Sequence, residues 1–205
     1  REELVTSTET FIGSEGNLLE PGPKSCRMVR LDNPLIDNTQ LAKLREITED
    51  GFKATTLNAL FPADSDGKSL EDALSELCAG ADQAITDGHN ILIISDRNID
   101  KDNAALPTLL AMGAIHEHLV DAGTRTRVSI VLESGEAREV HHFATLIGFG
   151  ADAINPYMAF ESLHQMIRDD MIDIELDKAV YNFIKGSIKG VVKTMPSFVE
   201  LHMFL

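Results

Sequence analysis

Three short, almost wholly apolar runs recur along this chain: NILIIS at residues 90–95, VSIVL at 128–132 and DAIN at 152–155. Each is too short for a buried helix and has no polar alternation, the pattern of strands buried on both faces of a parallel sheet. Parallel neighbours need a crossover between them, and the intervening stretches are long enough to be helices. A fourth run at residues 52–61 reads as a strand closed by Pro62, followed by a polar turn at 64–67.

The intervening stretches carry helical spacing. Leu70, Ala73, Leu74, Leu77, Cys78, Ala81, Ala84 and Ile85 fall three and four apart after Ser69, which with Asp72 comes close to a capping box. Pro107 suits the first turn of a helix that runs to Asp121 and ends at Gly123. Further helices are expected over 136–147, where Gly148 and Gly150 end the pattern, and over 160–171 and 176–192. Upstream, residues 2–11 read as a short helix, 12–23 as a Gly/Pro-rich crossing, 27–31 as a strand and 39–47 as a helix.

Strand and helix therefore alternate four times, which predicts an α/β fold with parallel strands, a rudimentary or partial TIM-barrel-like arrangement. An open doubly wound sheet is the alternative. The 205 residues fall short of the roughly 250 typical of a closed barrel. The expected division is a lead-in helix and linker at 1–25, the α/β unit at 26–174 and a C-terminal helix at 175–205.

A formal charge of -15, from 33 acidic against 18 basic residues, repels phosphate backbones and anionic lipid. Nucleic acid and membrane are therefore not expected partners, and the apolar runs are far below the roughly 20 residues that span a bilayer. The two cysteines, Cys26 and Cys78, lie far apart without CxxC spacing and suit a reducing compartment. The first residue is Arg1, with no signal-peptide pattern after it, so a cytoplasmic piece of something longer is expected.

In parallel α/β folds ligands meet the carboxyl ends of the strands, here Phe61, Asp96–Arg97, Glu133–Ser134–Gly135 and Asn155. Asp96, Arg97 and Glu133 are expected to face one another there, either orienting a polar ligand or pinning loops together. Ser134-Gly135-Glu136 ahead of a helix offers amides to an anion, or an ordinary cap with Glu136 supplying the favourable charge. The chain has no GxGxxG and no GxxxxGK[ST]. His116 and His118 diverge by about 200° on a helix and cannot share a metal ion, and His116 falls on an apolar face. Glu139 and His142 make a common solvated contact. Cys78 lies on an apolar stripe; Cys26, between Lys24 and Arg27, has no positioned base. Lys185, Lys189 and Lys193 form a basic stripe, either a docking face or a solvated one. No residue is nominated as catalytic, cofactor-binding or metal-binding; Asp96, Arg97, Glu133, Ser134 and Asn155 are the candidate rim.

Several long strings are more specific: GSEGNLLE (13–20), LDNPLIDNTQL (31–41), DGHNILIISDRN (87–98), GTRTRVSIVLES (123–134) and ESGEAREVHHFATLIGFGADAINPY (133–157). Over residues 1–195 the chain resembles the central domain of the glutamate synthase large subunit. The resemblance implies a rudimentary barrel that binds no FMN. It implies a place between an N-terminal amidotransferase domain and an FMN-binding barrel, beside the route that carries ammonia. The parent reaction it implies makes two glutamates from glutamine and 2-oxoglutarate, with FMN and an iron–sulfur cluster. Electrons come from a reduced nicotinamide or ferredoxin, through a small subunit or ferredoxin as partner, in the cytoplasm or, in a photosynthetic eukaryote, the plastid. The amidotransferase cysteine, the cluster-binding cysteines and the flavin barrel are not in these 205 residues. The early part of the central domain is expected upstream of Arg1, and from Pro196 the tail departs from the family pattern.

Three readings follow. A connecting domain predicts flanking amidotransferase and flavin domains. A free-standing flavin- or phosphate-binding barrel using Asp96, Arg97 and the Ser134–Gly135 turn predicts flavin absorbance or stabilisation by phosphate. An interaction module predicts a stable complex with a separate protein.

Overall fold

The computed structural model describes residues 7–17, 19–64 and 67–202. Its centre is a four-stranded parallel sheet of β3 (Ala54–Asn58), β5 (Ile91–Ser95), β7 (Ser129–Glu133) and β8 (Ala153–Asn155), in that spatial order. The sheet is open and not a closed barrel. Helices α2 (Gly67–Thr86), α3 (Thr108–Asp121) and α4 (Val140–Gly148) join its successive strands. Strand order follows chain order, so right-handed crossovers stack these helices on one face, as in the wall of a barrel. α5 (Tyr157–Arg168) and α6 (Leu176–His202) follow.

The two-residue period of a strand divides the core. Leu92, Ile94, Ile130, Leu132 and Ile154 pack against Leu77 and Ala81 of α2, Met112, Ile115 and Leu119 of α3, and Phe143 and Leu146 of α4. α6 closes on this layer through Phe183, which stands edge-on between Phe143 and Phe160, with ring centroids 6.1 and 5.9 Å away. Ile91, Ile93, Val131 and Ala153 point the other way, towards Ile12, Leu31, Ile36, Leu41 and Leu44.

That second layer comes from the N-terminal segment. β1 (Thr10–Ile12) and β2 (Val29–Leu31) pair antiparallel, and α1 (Asn38–Arg45) follows. α1 starts at a capping box in which Asp37 accepts from the Gln40 amide at 2.7 Å and Gln40 answers on the Asp37 amide at 3.0 Å. Leu35 pairs in parallel with Ile154, so residues 34–36 cover the open edge of β8.

Several boundaries differ from expectation. The helix expected over residues 2–11 is a strand at Thr10–Ile12, and residues 1–6 lie outside the described residues. The run at 52–61 is two strands, β3 and β4 (Leu60–Pro62), and β4 pairs with β6 (Asn103–Ala105), which the sequence did not announce. α2 begins two residues before Ser69, at Gly67, and residues 65–66 lie outside the described residues. α4 begins at Val140, four residues after Glu136. α6 runs on past residue 192 to His202.

Candidate functional site

The register places Asn58, Ser95, Glu133 and Asn155 in one row at the carboxyl end of the sheet. Ser95, Glu133 and Asn155 share the face of Ile91, Ile93, Val131 and Ala153, the one α1 covers. α1 crosses this end, and its two termini meet the polar row.

Glu133 is 3% exposed and receives three donors. Ser95 Oγ donates to Oε2 at 2.6 Å, Arg45 of α1 to Oε2 at 2.7 Å, and Arg97 Nε to Oε1 at 2.6 Å. A buried carboxylate is tolerated only with such pairing. Arg97 also reaches Glu161 of α5 at 3.3 Å, and its guanidinium lies 4.1 Å from the centroid of the Tyr157 ring. Burial opposes the Arg97 charge, but Glu133 and Glu161 outweigh it and leave the group above its ordinary pKa.

Asp96 turns to the helix side of the sheet. Its carboxylate accepts from the Gly135 amide at 2.9 and 3.0 Å and from Ser134 Oγ at 3.2 Å. Burial raises its pKa most; the Gly135 amide and the Tyr157 and Ser134 hydroxyls pull it back, and the Glu133 charge adds to the rise. Burial and Asp96 push the Tyr157 phenol well above its usual range. Ser134 Oγ is also hydrogen-bonded to Thr108 Oγ1 at 2.8 Å and accepts from the Glu136 amide at 3.0 Å.

Asn155 is fully buried. Its Nδ2 donates to Ile36 O and Asn38 Oδ1, both at 3.0 Å, so the start of α1 occupies this residue. Among the described residues its Oδ1 meets no hydrogen-bond donor.

Arg97 and Glu133 thus meet as the sequence suggested, whereas Asp96 belongs to a separate cluster with Ser134 and Gly135. The anion role of the Ser134–Gly135 turn is corrected. The turn does not open a helix, the Gly135 amide is taken by Asp96, and a Cβ on Gly135 would stand 2.8 Å from Tyr157 Oη. A flavin phosphate does not fit there. Glu136 does cap a helix, but α3 rather than its own, accepting from the Thr108 amide at 2.7 Å. Arg45, Tyr157 and Glu161 were not singled out from sequence; Arg45 sits in the last turn of an amphipathic helix, where a solvated base is the ordinary expectation.

A second cluster lies at the amino end of the sheet. Arg125 donates to Val128 O and Gly150 O at 2.7 Å, to Asp152 Oδ2 at 3.0 Å and to His116 Nδ1 at 3.3 Å. His116 therefore packs against this arginine, and His118 diverges to pair with Asp82 of α2 at 2.7 Å. His142 and Glu139 make their expected contact at 3.4 Å. Among the described residues no group of three His, Cys, Asp or Glu side chains is arranged for a metal ion. Burial and the nearby Asp82 raise the Cys78 thiol, and Cys26 is exposed. Lys185 and Lys189 line a groove of about 740 Å³ between residues 32–40 and helices α5 and α6, floored by Leu35, Phe160 and Ile188. No described helix is long and apolar enough to cross a membrane.

The glutamate synthase central domain family matches residues 1–198. The large chain of NADPH-dependent glutamate synthase from Bacillus subtilis (strain 168) is 44% identical over 195 residues, covering 95% of this chain and 12% of that protein. NADH glutamate synthase of Schizosaccharomyces pombe is 34% identical, covering 95% of this chain and 9% of that protein. The chloroplastic ferredoxin-dependent glutamate synthase of Spinacia oleracea is 36% identical, covering 95% and 13%. The chain spans about an eighth or less of the length of these curated relatives, and it belongs to the glutamate synthase central domain family.

Proposed function

We propose that this chain is a non-catalytic connecting domain of a glutamate synthase. In the parent protein it links an amidotransferase domain to an FMN-binding domain and helps enclose the ammonia route. Residues 26–174 form the connecting unit, and 175–205 lead towards the flavin domain. Asp96, Arg97, Glu133, Ser134 and Asn155 hold the rim against the neighbouring domains.

One observation carries this reading: the carboxyl end of the sheet, where such folds bind ligands, is filled by α1. Glu133 accepts from Ser95, Arg45 and Arg97 on its two oxygens. Asn155 Nδ2 is spent on α1, and Asp96 is spent on Gly135 and Ser134. A general base or nucleophile must lie within reach of a substrate, and Glu133 and Asp96 are buried with both carboxylate oxygens hydrogen-bonded to the fold. FMN and the iron–sulfur cluster of the parent enzyme would accordingly be held by other domains. There the parent reaction turns glutamine and 2-oxoglutarate into two glutamates, in the cytoplasm or in the plastid of a photosynthetic host. The electron donor is a reduced nicotinamide, reached through a small subunit, or ferredoxin.

The test is Arg97→Ala in the whole enzyme. Glutamine hydrolysed per glutamate formed should rise above the parent value as ammonia escapes. An unchanged ratio in a correctly folded variant refutes the role of the rim in coupling.

A further inference from the structure

The two arginines on Glu133 are unequally neutralised. Both grip one buried carboxylate, so they stand side by side with two positive charges against one firmly held negative charge. The second counter-ion is Glu161, met only at 3.3 Å through one nitrogen of Arg97, with its own side chain 51% exposed. Such an exposed ion pair contributes little, because water screens it. Among the described residues, Arg45 Nε, its other terminal nitrogen and the second terminal nitrogen of Arg97 have no protein acceptor. The Arg45 and Arg97 side chains are 39% and 37% exposed, within reach of an incoming group. They are also held in place: Arg97 lies over Tyr157, itself 5% exposed, and Arg45 sits on a capped helix anchored by Leu41 and Leu44.

We propose that the Arg45–Arg97 pair is a docking site for a carboxylate, with Glu161 as a placeholder that the incoming group displaces. Guanidinium groups fixed in advance suit this ligand, because their forked N–H donors match a carboxylate and little side-chain entropy remains to be lost. On a chain of charge -15 this is a local spot where an acid is attracted. The proposal deepens the reading of the rim as a contact surface and rests on it. The carboxylate is either an Asp or Glu of another segment of the parent polypeptide or a free small dicarboxylate.

Hydrogen–deuterium exchange on the whole polypeptide that carries this domain distinguishes the sources. With a docked side chain, Arg45→Gln and 0.5 M NaCl each raise exchange several-fold in one segment outside this domain, and Glu161→Gln leaves that segment equally or better protected. With a free anion, no outside segment responds, but succinate slows exchange at α1 and α5 in a saturable way that NaCl at equal ionic strength does not reproduce. Arg45→Gln abolishes that effect. If Glu161→Gln instead loosens the rim, and neither an outside segment nor succinate responds, Glu161 is the native counter-ion and the docking site is refuted. Loss of coupling in Arg97→Ala alongside that result would leave the contact role standing and remove only the carboxylate.

Discussion

Replacing Glu133 by Gln tests the row that joins the sheet to α1. The side chain keeps its shape and one acceptor, but it loses its charge, and its amide group now points donors at a guanidinium. Three contacts between 2.6 and 2.7 Å are affected: Ser95 Oγ, Arg97 Nε and an Arg45 terminal nitrogen. Hydrogen bonds to charged groups are each worth about 1.5–3 kcal/mol, and breaking a buried pair costs about 3–5 kcal/mol. Both arginines are more than a third exposed, so water takes up part of what they lose, which puts the expected loss near the bottom of that range, about 3 kcal/mol. With a urea slope of about 2 kcal/mol per molar, the unfolding midpoint should fall by about 1.5 M at unchanged slope. A second variant guards the interpretation. Once Glu133 is neutral, Arg45→Gln should cost little or even stabilise, because it removes a charge with no counter-ion. A loss below about 1 kcal/mol for Glu133→Gln, or additive losses in the double variant, would refute the account of Glu133 as the anchor of α1.

Gly150 has a φ of 101°, and a Cβ there would lie 2.3 Å from Nδ1 of His116, so Gly150→Ala combines backbone strain with a clash at a ring packed on Arg125. A loss of about 3 kcal/mol is expected, read as a lowered thermal midpoint; a midpoint within a degree of the parent would refute the tight packing of this corner. Asp96 titrates above its ordinary value in the folded state, chiefly because it is buried, so folding favours its protonated form. Its contribution is fully present below the unfolded carboxylate value of about 3.9 and is lost as pH rises through the raised folded value. The stability of the parent chain relative to Asp96→Asn should therefore be higher at pH 4 than at pH 7 in urea titrations, and a difference that is flat or grows with pH would contradict the burial of this carboxyl.

The sequence made the helix-side layer legible and the other layer only in part, for a physical reason. The runs at 90–95 and 128–132 are apolar on both faces, and the spacing of Leu77 and Ala81 or Met112 and Ile115 names the side that packs on them. Boundaries of α2 to α5 moved by four residues at most, and α6 ran on ten residues past its expected end. The N-terminal layer is legible in part: β2 falls within the strand expected at 27–31 and α1 matches the helix expected at 39–47 to within two residues, whereas the three-residue β1 falls where a helix and a crossing were expected. Its position depends on long-range contacts, such as Gly13 with Ser129 and Asn38 with Asn155, that no local pattern encodes. β4 and β6 escaped for the same reason. At the site, Arg97 and Glu133 were found because both follow apolar strands, and Asn155 because it closes one. Arg45 was invisible because what gives it a role is a carboxylate 88 residues away. The Ser134–Gly135 turn misled because the glycine serves a buried aspartate, a demand that leaves the same local signature as an anion loop.

Four parallel strands cannot close on themselves, and this bears on why a charged row ends the sheet. In a closed barrel the inner face of each strand is covered by the strands opposite. Here that face carries Ile91, Ile93, Val131 and Ala153, and Ile12, Ile36, Leu41 and Leu44 cover it instead. A helix laid across an apolar sheet face must also satisfy whatever polar groups end the strands beneath it. Ser95, Glu133 and Asn155 end them here, and Arg45 and Asn38 at the two ends of α1 answer them. The charged row is thus a consequence of substituting one helix for the missing half of a barrel. A ligand would have to displace α1, exposing four buried aliphatic side chains at about 1.5–3 kcal/mol each, before it reached a strand end. At this end of the sheet, the outer side of the rim, where Arg45, Arg97 and Glu161 remain accessible, is therefore reached without disturbing α1.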